Sequence, residues 1–262
     1  MADLLEGIVD RVREGLRAAP RDVVRLREEA ATRRPRDFKA AVEAGPRPAL
    51  VAEFKRRSPS KGPLNEGAGL AEYCRAYQAA GASALSILTN PDFGGSLEDL
   101  HRASGDAEVP VLRKDFVVDA RQVIEAAANG ADCVLLIARI VPAGQLAELA
   151  AVAREVHLQT LVEVYEEAEL DAALAAGPDL LGVNSRDLAT FDVDATKFSR
   201  VAAALPAGLP LVAESGVSTH DQFAAAGAAG ARAVLVGEAL MTAADPGAAV
   251  RELLGAVTAR RT

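Results

Sequence analysis

The stretch 110-PVLRKDF-116 is an apolar, β-type run that stops on three ionisable residues, Arg113, Lys114 and Asp115. The same design recurs in 49-ALVAEFKRRSPSKG-62, 160-TLVEVYEE-167 and 211-LVAESGVS-218, which place Glu53, Lys55, Glu163 and Glu214 at the ends of apolar runs. In a closed barrel of parallel strands every C-terminal strand end opens on one face, so residues far apart in sequence converge on one pocket. Chemistry is therefore expected where these runs end.

Working outward, eight such strands are expected near residues 49 to 54, 84 to 88, 110 to 114, 133 to 137, 160 to 164, 180 to 184, 210 to 214 and 233 to 237. Most are nearly continuous apolar runs, Val134-Leu135-Leu136-Ile137 and Ala233-Val234-Leu235-Val236 among them, as strands buried on both faces of a parallel sheet read. Alanine-rich helical segments such as 119-DARQVIEAAANGA-131 alternate with them, and Gly81, Gly130, Gly177 and Gly230 each precede a strand. Leu4, Leu5, Ile8, Val12 and Leu16 recur at helical steps, with Val23, Val24 and Leu26 following Pro20. The pattern predicts a (β/α)8 TIM barrel spanning 1–262 as one domain, with residues 1–45 as an N-terminal helical extension. Periodicity does not show whether a sheet closes, so an open doubly wound sheet is the alternative.

A chain of 262 residues, half of them hydrophobic, suits a large core. The net charge of -8 argues against general binding to nucleic acid or to an anionic membrane, while leaving room for local anion sites. Cys74 and Cys133 lack metal or redox spacing and read as buried free thiols, and His101, His157 and His220 are isolated from one another. Residues 1–30 lack the apolar centre of a secretory signal, and no run approaches 18 apolar residues. A cytoplasmic monomer is expected.

Glu53 and Lys55 share one strand face, and opposite charges at the end of an apolar strand are costly unless they pair or meet a ligand. Ser58 and Lys61 lie in a turn-rich loop that suits anion contact or a solvated surface. Lys114 is a candidate general acid, Schiff-base amine or electrostatic clamp, or else one half of a structural ion pair with Glu53 or Glu163. Arg113 and Lys114 cannot both face the barrel interior. Glu163 interrupts an apolar strand, where burial tunes a carboxyl group for proton transfer. Asn184, Ser185 and Arg186 end the sixth strand with groups suited to a carboxylate or a polyol. Ser215-Gly216 and Gly237-Glu238 follow strands seven and eight, where barrels of this kind bind phosphate through backbone N–H groups.

The strings 52-AEFKRRSPSKG-62, 111-VLRKDFVVD-119, 162-VEVYEEAEL-170, 182-GVNSRDLATFDVD-194, 212-VAESGVS-218 and 234-VLVGEALM-241 resemble the indole-3-glycerol phosphate synthase family, in order and spacing from about residue 4 to residue 255. The resemblance implies a metal-free and cofactor-free carboxy-lyase. Such an enzyme closes the ring of 1-(2-carboxyphenylamino)-1-deoxyribulose 5-phosphate, loses carbon dioxide and then water, and yields indole-3-glycerol phosphate for tryptophan biosynthesis. By similarity, Lys114 is the general acid on the ketone, Glu163 the acid or base of the dehydration, and Lys55, held by Glu53, a second cation and proton donor. Asn184, Arg186 and Glu214 are expected to hold the carboxylate and sugar hydroxyls, and Ser58, Ser215, Gly216, Gly237 and the Glu238 N–H to hold the phosphate. Phe93 takes the place of an aromatic residue over the substrate, in a loop, 89-TNPDFGGS-96, that is a residue shorter than is usual. The competing readings are phosphoribosylanthranilate isomerase, which needs no lysine pair, and a catalytically silent sugar-phosphate barrel, expected to have lost its strand-end charges.

Overall fold

The structure, a computed structural model, describes residues 4–19, 22–58, 61–186, 194, 196–205 and 208–255. Pro20, Pro59, Ser60 and the 187–193 part of the sixth-strand motif lie outside the described residues. Eight parallel strands close into a barrel: β1 (Ala49–Phe54), β2 (Ala84–Leu88), β3 (Val111–Lys114), β4 (Cys133–Ile137), β5 (Gln159–Val164), β6 (Leu180–Asn184), β7 (Leu211–Glu214) and β8 (Ala233–Val236). Each strand pairs with its neighbours in sequence, and β8 closes on β1 through Ala49 opposite Ala233 and Ala52 opposite Val236. All these strands stand within a residue of where the apolar runs place them. Covered on both faces, such strands need side chains that never meet water, which explains why β1 and β4 are buried along their whole length.

Helices fill the connections: α4 (Leu70–Ala79), α5 (Leu97–Asp106), α6 (Ala120–Ala128), α7 (Ala143–Glu155), α8 (Leu170–Ala175), α9 (Lys197–Ala203), α10 (His220–Ala228), α11 (Glu238–Met241) and α12 (Pro246–Leu253). Asp119 caps α6 by accepting from the Arg121 N–H, and Thr219 caps α10 in a reciprocal box with Gln222. Gly81 and Gly130, at φ of 107° and 102°, turn the chain from α4 and α6 into the following strand, a conformation that a Cβ disfavours.

The N-terminal residues form three helices, α1 (Leu4–Ala18), α2 (Val23–Ala31) and α3 (Phe38–Ala44), that preface the barrel. Helix α3 packs its fully buried Phe38 and Val42 at the N-terminal end of β1 and β2. Buried Asp132 ties the same rim together by accepting from the Arg36 N–H and Nε, each at 2.9 Å, and from the Val111 N–H at 2.8 Å. Helix α2 lies on α6. From there α1 reaches the opposite end of the barrel, where Arg11 pairs with Asp92 at 2.7 Å in the turn after β2 and Arg121 donates to the Leu16 carbonyl.

Both cysteines are buried and free, as their isolation suggested. No described helix is long and apolar enough to cross a membrane.

Candidate active site

Four odd-numbered strands each bring one ionisable side chain to the mouth of the barrel: Glu53 on β1, Lys114 on β3, Glu163 on β5 and Glu214 on β7. Barrel interiors are filled in layers of four side chains drawn from alternate strands, so these four form an ionic layer where an apolar one would otherwise lie. Even-numbered strands leave room for them. Ser86 stands opposite Glu53 and donates to it at 3.4 Å, and Gly182 stands opposite Glu163. A Cβ on Gly182 would lie 2.1 Å from Glu214 Oε1, and one on Gly237, just past β8, would lie 2.5 Å from Glu53 Oε1.

Lys114 sits between two acids, its Nζ 3.0 Å from Glu163 Oε2 and 3.2 Å from Glu214 Oε2. Asn184 donates its amide to the other Glu163 oxygen at 3.1 Å, and Lys55 pairs with Glu53 at 2.9 Å. Both Glu214 oxygens are buried without a well-oriented hydrogen bond among the described residues, so that carboxyl group has acceptor capacity left for something entering the cavity.

Burial and charge pull these groups apart. For Glu214 burial dominates and, helped by the charge of Glu163 against the pull of Lys114, pushes the carboxyl up to about 8, so it is protonated at neutral pH. For Glu163 burial acts in the same sense. The Lys114 charge and the hydrogen bonds from Asn184 and Lys114 outweigh it and hold that carboxyl below its usual range, ionised. Burial would lower the Lys114 ammonium, yet Glu163, Glu214 and Glu53 together raise it above its ordinary value, and it stays charged. Two like acids with divergent proton affinities beside one cation are the arrangement expected of acid–base chemistry.

The cavity above this layer holds about 530 Å³ and is lined by Glu53, Lys55, Lys114, Glu163, Asn184 and Glu214, and also by Ser58, Phe93, Arg186, Ser215, Gly216, Gly237 and Glu238. Every residue to which the family resemblance gave a role thus meets one space, of the size small ligands occupy. Ser58 arrives through a short antiparallel ladder, Arg57–Ser58 against Gly62–Pro63, anchored by a two-pronged Arg56–Asp99 pair at 2.8 Å on each prong. Ser215 and Gly216 both take positive φ, 63° and 82°, turning the chain sharply after β7 beside the N-terminus of α11. The first N–H groups of a helix have no partner within it, so this corner offers backbone donors to an anion. Glu238 turns its carboxylate to Lys61 and lies 3.9 Å from Arg186.

A profile of the family described as indole-3-glycerol phosphate synthase matches residues 5–253. The chain belongs to this family. It is 47% identical over 259 residues to indole-3-glycerol phosphate synthase 2 of Streptomyces coelicolor, covering 97% of this chain and all of that one. It is 43% identical over 260 residues to the synthase of Albidiferax ferrireducens, with 97% and 98% of the two chains covered. Among solved structures, a 3-hexulose-6-phosphate synthase superposes with a TM-score of 0.64 at 17% identity over 80% of this chain and all of that one. A tryptophan synthase α-subunit from Pyrococcus furiosus gives 0.60 at 16%, over 79% and 98%. At those identities the likeness concerns the barrel alone. As members of this synthase family are, the chain is a decarboxylating lyase of tryptophan biosynthesis, closing the indole ring of its sugar-phosphate substrate.

Some residues lining the cavity of this family member escaped the sequence reading. One wall of the cavity is apolar, formed by Leu88, Phe116, Leu135 and Ile137 beside Phe93, whose ring centroid lies 6.0 Å from that of Phe116. Period-two alternation from Lys114 points to Phe116, but on apolar strands such residues read as core. Gly237 read as a phosphate contact, and its clearance for Glu53 was invisible without coordinates. Ser185, grouped in the sequence with Asn184 and Arg186, is buried outside the cavity lining, its N–H on the Glu214 carbonyl at 3.0 Å, because adjacent residues of a strand face opposite ways.

Proposed function

We propose that Lys114 is the general acid of ring closure and that Glu163 and Lys55 serve the dehydration. The observation that carries this reading is the Lys114 ammonium held between ionised Glu163 and protonated Glu214 on the cavity floor. As the carboxylate-bearing ring carbon bonds to the ketone carbon, the carbonyl π pair moves onto oxygen, and Lys114 supplies the proton that turns it into a hydroxyl. Carbon dioxide then leaves, and its bonding pair returns to the ring. In the last step the hydroxyl departs as water with a proton from Lys55, oriented by Glu53, while Glu163 takes the proton lost from the neighbouring carbon.

The aniline ring lies against Phe93 and Phe116, Asn184 and Arg186 face the substrate carboxylate, and Glu214 meets a sugar hydroxyl. Ser58, Ser215, Gly216, Gly237 and the Glu238 N–H hold the phosphate, a placement supported by the positive-φ turn at 215–216 and by the start of α11. The acidic chain works as a cytoplasmic monomer on a free small molecule, without nucleic acid or membrane, and its helical extension and barrel form one folding unit. Mixing the purified protein with the carboxyphenylamino-deoxyribulose phosphate is expected to give a rise in indole fluorescence that Lys114→Ala slows by a factor on the order of 10² or more. Tight substrate binding with no fluorescence from the unaltered chain would refute the reading.

A further inference from the structure

Arg113 and Asp115 flank Lys114, and both are buried, yet neither touches the Lys114 ammonium. Arg113 points out of the barrel toward α6, its Nη1 2.7 Å from the Gln122 carbonyl and 3.3 Å from Glu125, its Nη2 3.0 Å from Asp115 and its Nε 3.1 Å from the Thr89 hydroxyl. Asp115 accepts from four donors: the Thr89 hydroxyl and Arg113 on one oxygen, and the Asn90 amide at 3.2 Å and the Phe116 N–H at 2.8 Å on the other. A carboxylate has about four acceptor positions, so Asp115 has none left for a substrate proton although it borders the cavity.

What these bonds join is informative. Thr89 and Asn90 begin the turn after β2, and Asn90 caps the helical turn carrying Phe93 by accepting from the Asp92 N–H at 3.0 Å. The Thr89 N–H also donates to the Lys114 carbonyl at 3.1 Å. Phe116 hangs directly on Asp115. The geometry points to Arg113 and Asp115 as positioning residues for ring closure, holding the Phe93–Phe116 wall in fixed register with the Lys114 ammonium. A buried ion pair is a poor source of stability for its cost, and its best-attested benefit is to select one arrangement over others. Here the arrangement selected is the angle between the aromatic ring and the acid that protonates its target, on which a near-attack geometry depends. The proposal rests on the stacking of the aniline ring against Phe93 and Phe116.

A double-mutant cycle on the full chain tests it. Asp115→Asn is expected to lower kcat on the order of tenfold, short of the roughly 10²-fold cost of a 1 Å misplacement, while KM changes little. In a Phe93→Leu background the same substitution is expected to lower kcat hardly further, because the wall it positions is gone. Thr89→Val, which keeps both charges, should show a smaller effect with the same coupling, and Thr89→Ser should restore kcat; this pair carries the test if Asp115→Asn does not fold. A lowered thermal midpoint with unchanged kcat per folded molecule would overturn the proposal, as would effects of Asp115→Asn and Phe93→Leu that simply multiply. An unchanged kcat in Phe93→Leu alone would refute the stacking reading, and the proposal with it.

Discussion

Gly182→Ala would set a methyl carbon 2.1 Å from Glu214 Oε1 and 3.2 Å from its Cδ. Ordinary contact begins at about 3.4 Å, so the carboxyl group has to retreat by about 1.3 Å. Nothing else is crowded: the next neighbour, Leu161 Cδ1, is already at 3.4 Å, and Glu214 is the free end of a flexible side chain. The barrel is therefore expected to fold with little change in its thermal midpoint. Moving Glu214 loosens its 3.2 Å contact with Lys114 and shifts the acid within the layer. A displacement on the order of 1 Å at a reacting centre costs about 10²-fold in rate, or about 2.7 kcal/mol of barrier. Stopped-flow indole fluorescence under single-turnover conditions reads that loss directly, with circular dichroism as the control for folding. Shortening the acid in the double variant Gly182→Ala/Glu214→Asp relieves the overlap and should recover part of the rate. Undiminished turnover in a folded Gly182→Ala enzyme would mean that the position of Glu214 is irrelevant to the reaction, and the reasoning from the ionic layer would fail.

Lys114→Ala and Glu163→Gln are each expected to cut turnover by a factor on the order of 10² or more with the fold intact, since both are cast as proton-transfer groups; wild-type rates in either would remove that residue from the mechanism. For Glu214, whose carboxyl is raised from 4.5 to about 8, the folded chain keeps a proton that the unfolded chain releases. Its contribution to stability is therefore full below 4.5 and is lost as pH rises through about 8. Glu214→Gln cannot lose that proton, so its thermal midpoint should gain on wild type between about pH 5 and pH 9, and a constant difference across that range would contradict the assignment. Phe38→Ala empties a fully buried site at the closed end of the barrel, at a cost of about 3–5 kcal/mol. Its urea midpoint should drop while kcat measured without urea stays unchanged, the mouth being at the other end.

The barrel was legible because a strand buried on both faces has to be apolar along its length, and an ionisable residue ending such a run is conspicuous. Glu53, Lys114, Glu163 and Glu214 stood out for that reason. Their mutual arrangement did not, because it depends on register across strands: sequence offered Glu53 or Glu163 as partners for Lys114, and the closed barrel adds Glu214 to Glu163. The glycines misled in one direction only. Gly182 attracted no notice, since a missing side chain signals nothing about the neighbour that fills its space, whereas Gly216 was noticed because phosphate loops favour glycine. The aromatic and aliphatic wall was hidden by the rule that found the strands, as Leu135 and Ile137 look the same whether they face a core or a ligand. Arg113 behaved as alternation required, turning away from the interior that Lys114 enters.

The polar groups on the cavity floor divide by type along the chain: both lysines and Glu53 precede β5, while Glu163, Asn184 and Glu214 follow β4. A polypeptide severed between those two strands would carry its proton donors on one fragment and the principal acceptor on the other. Neither half could turn over alone, whatever structure it retained. Recovery of indole fluorescence on mixing the halves would then be a direct readout of fragment complementation, with the chemistry itself reporting that two half-barrels have found their common seam.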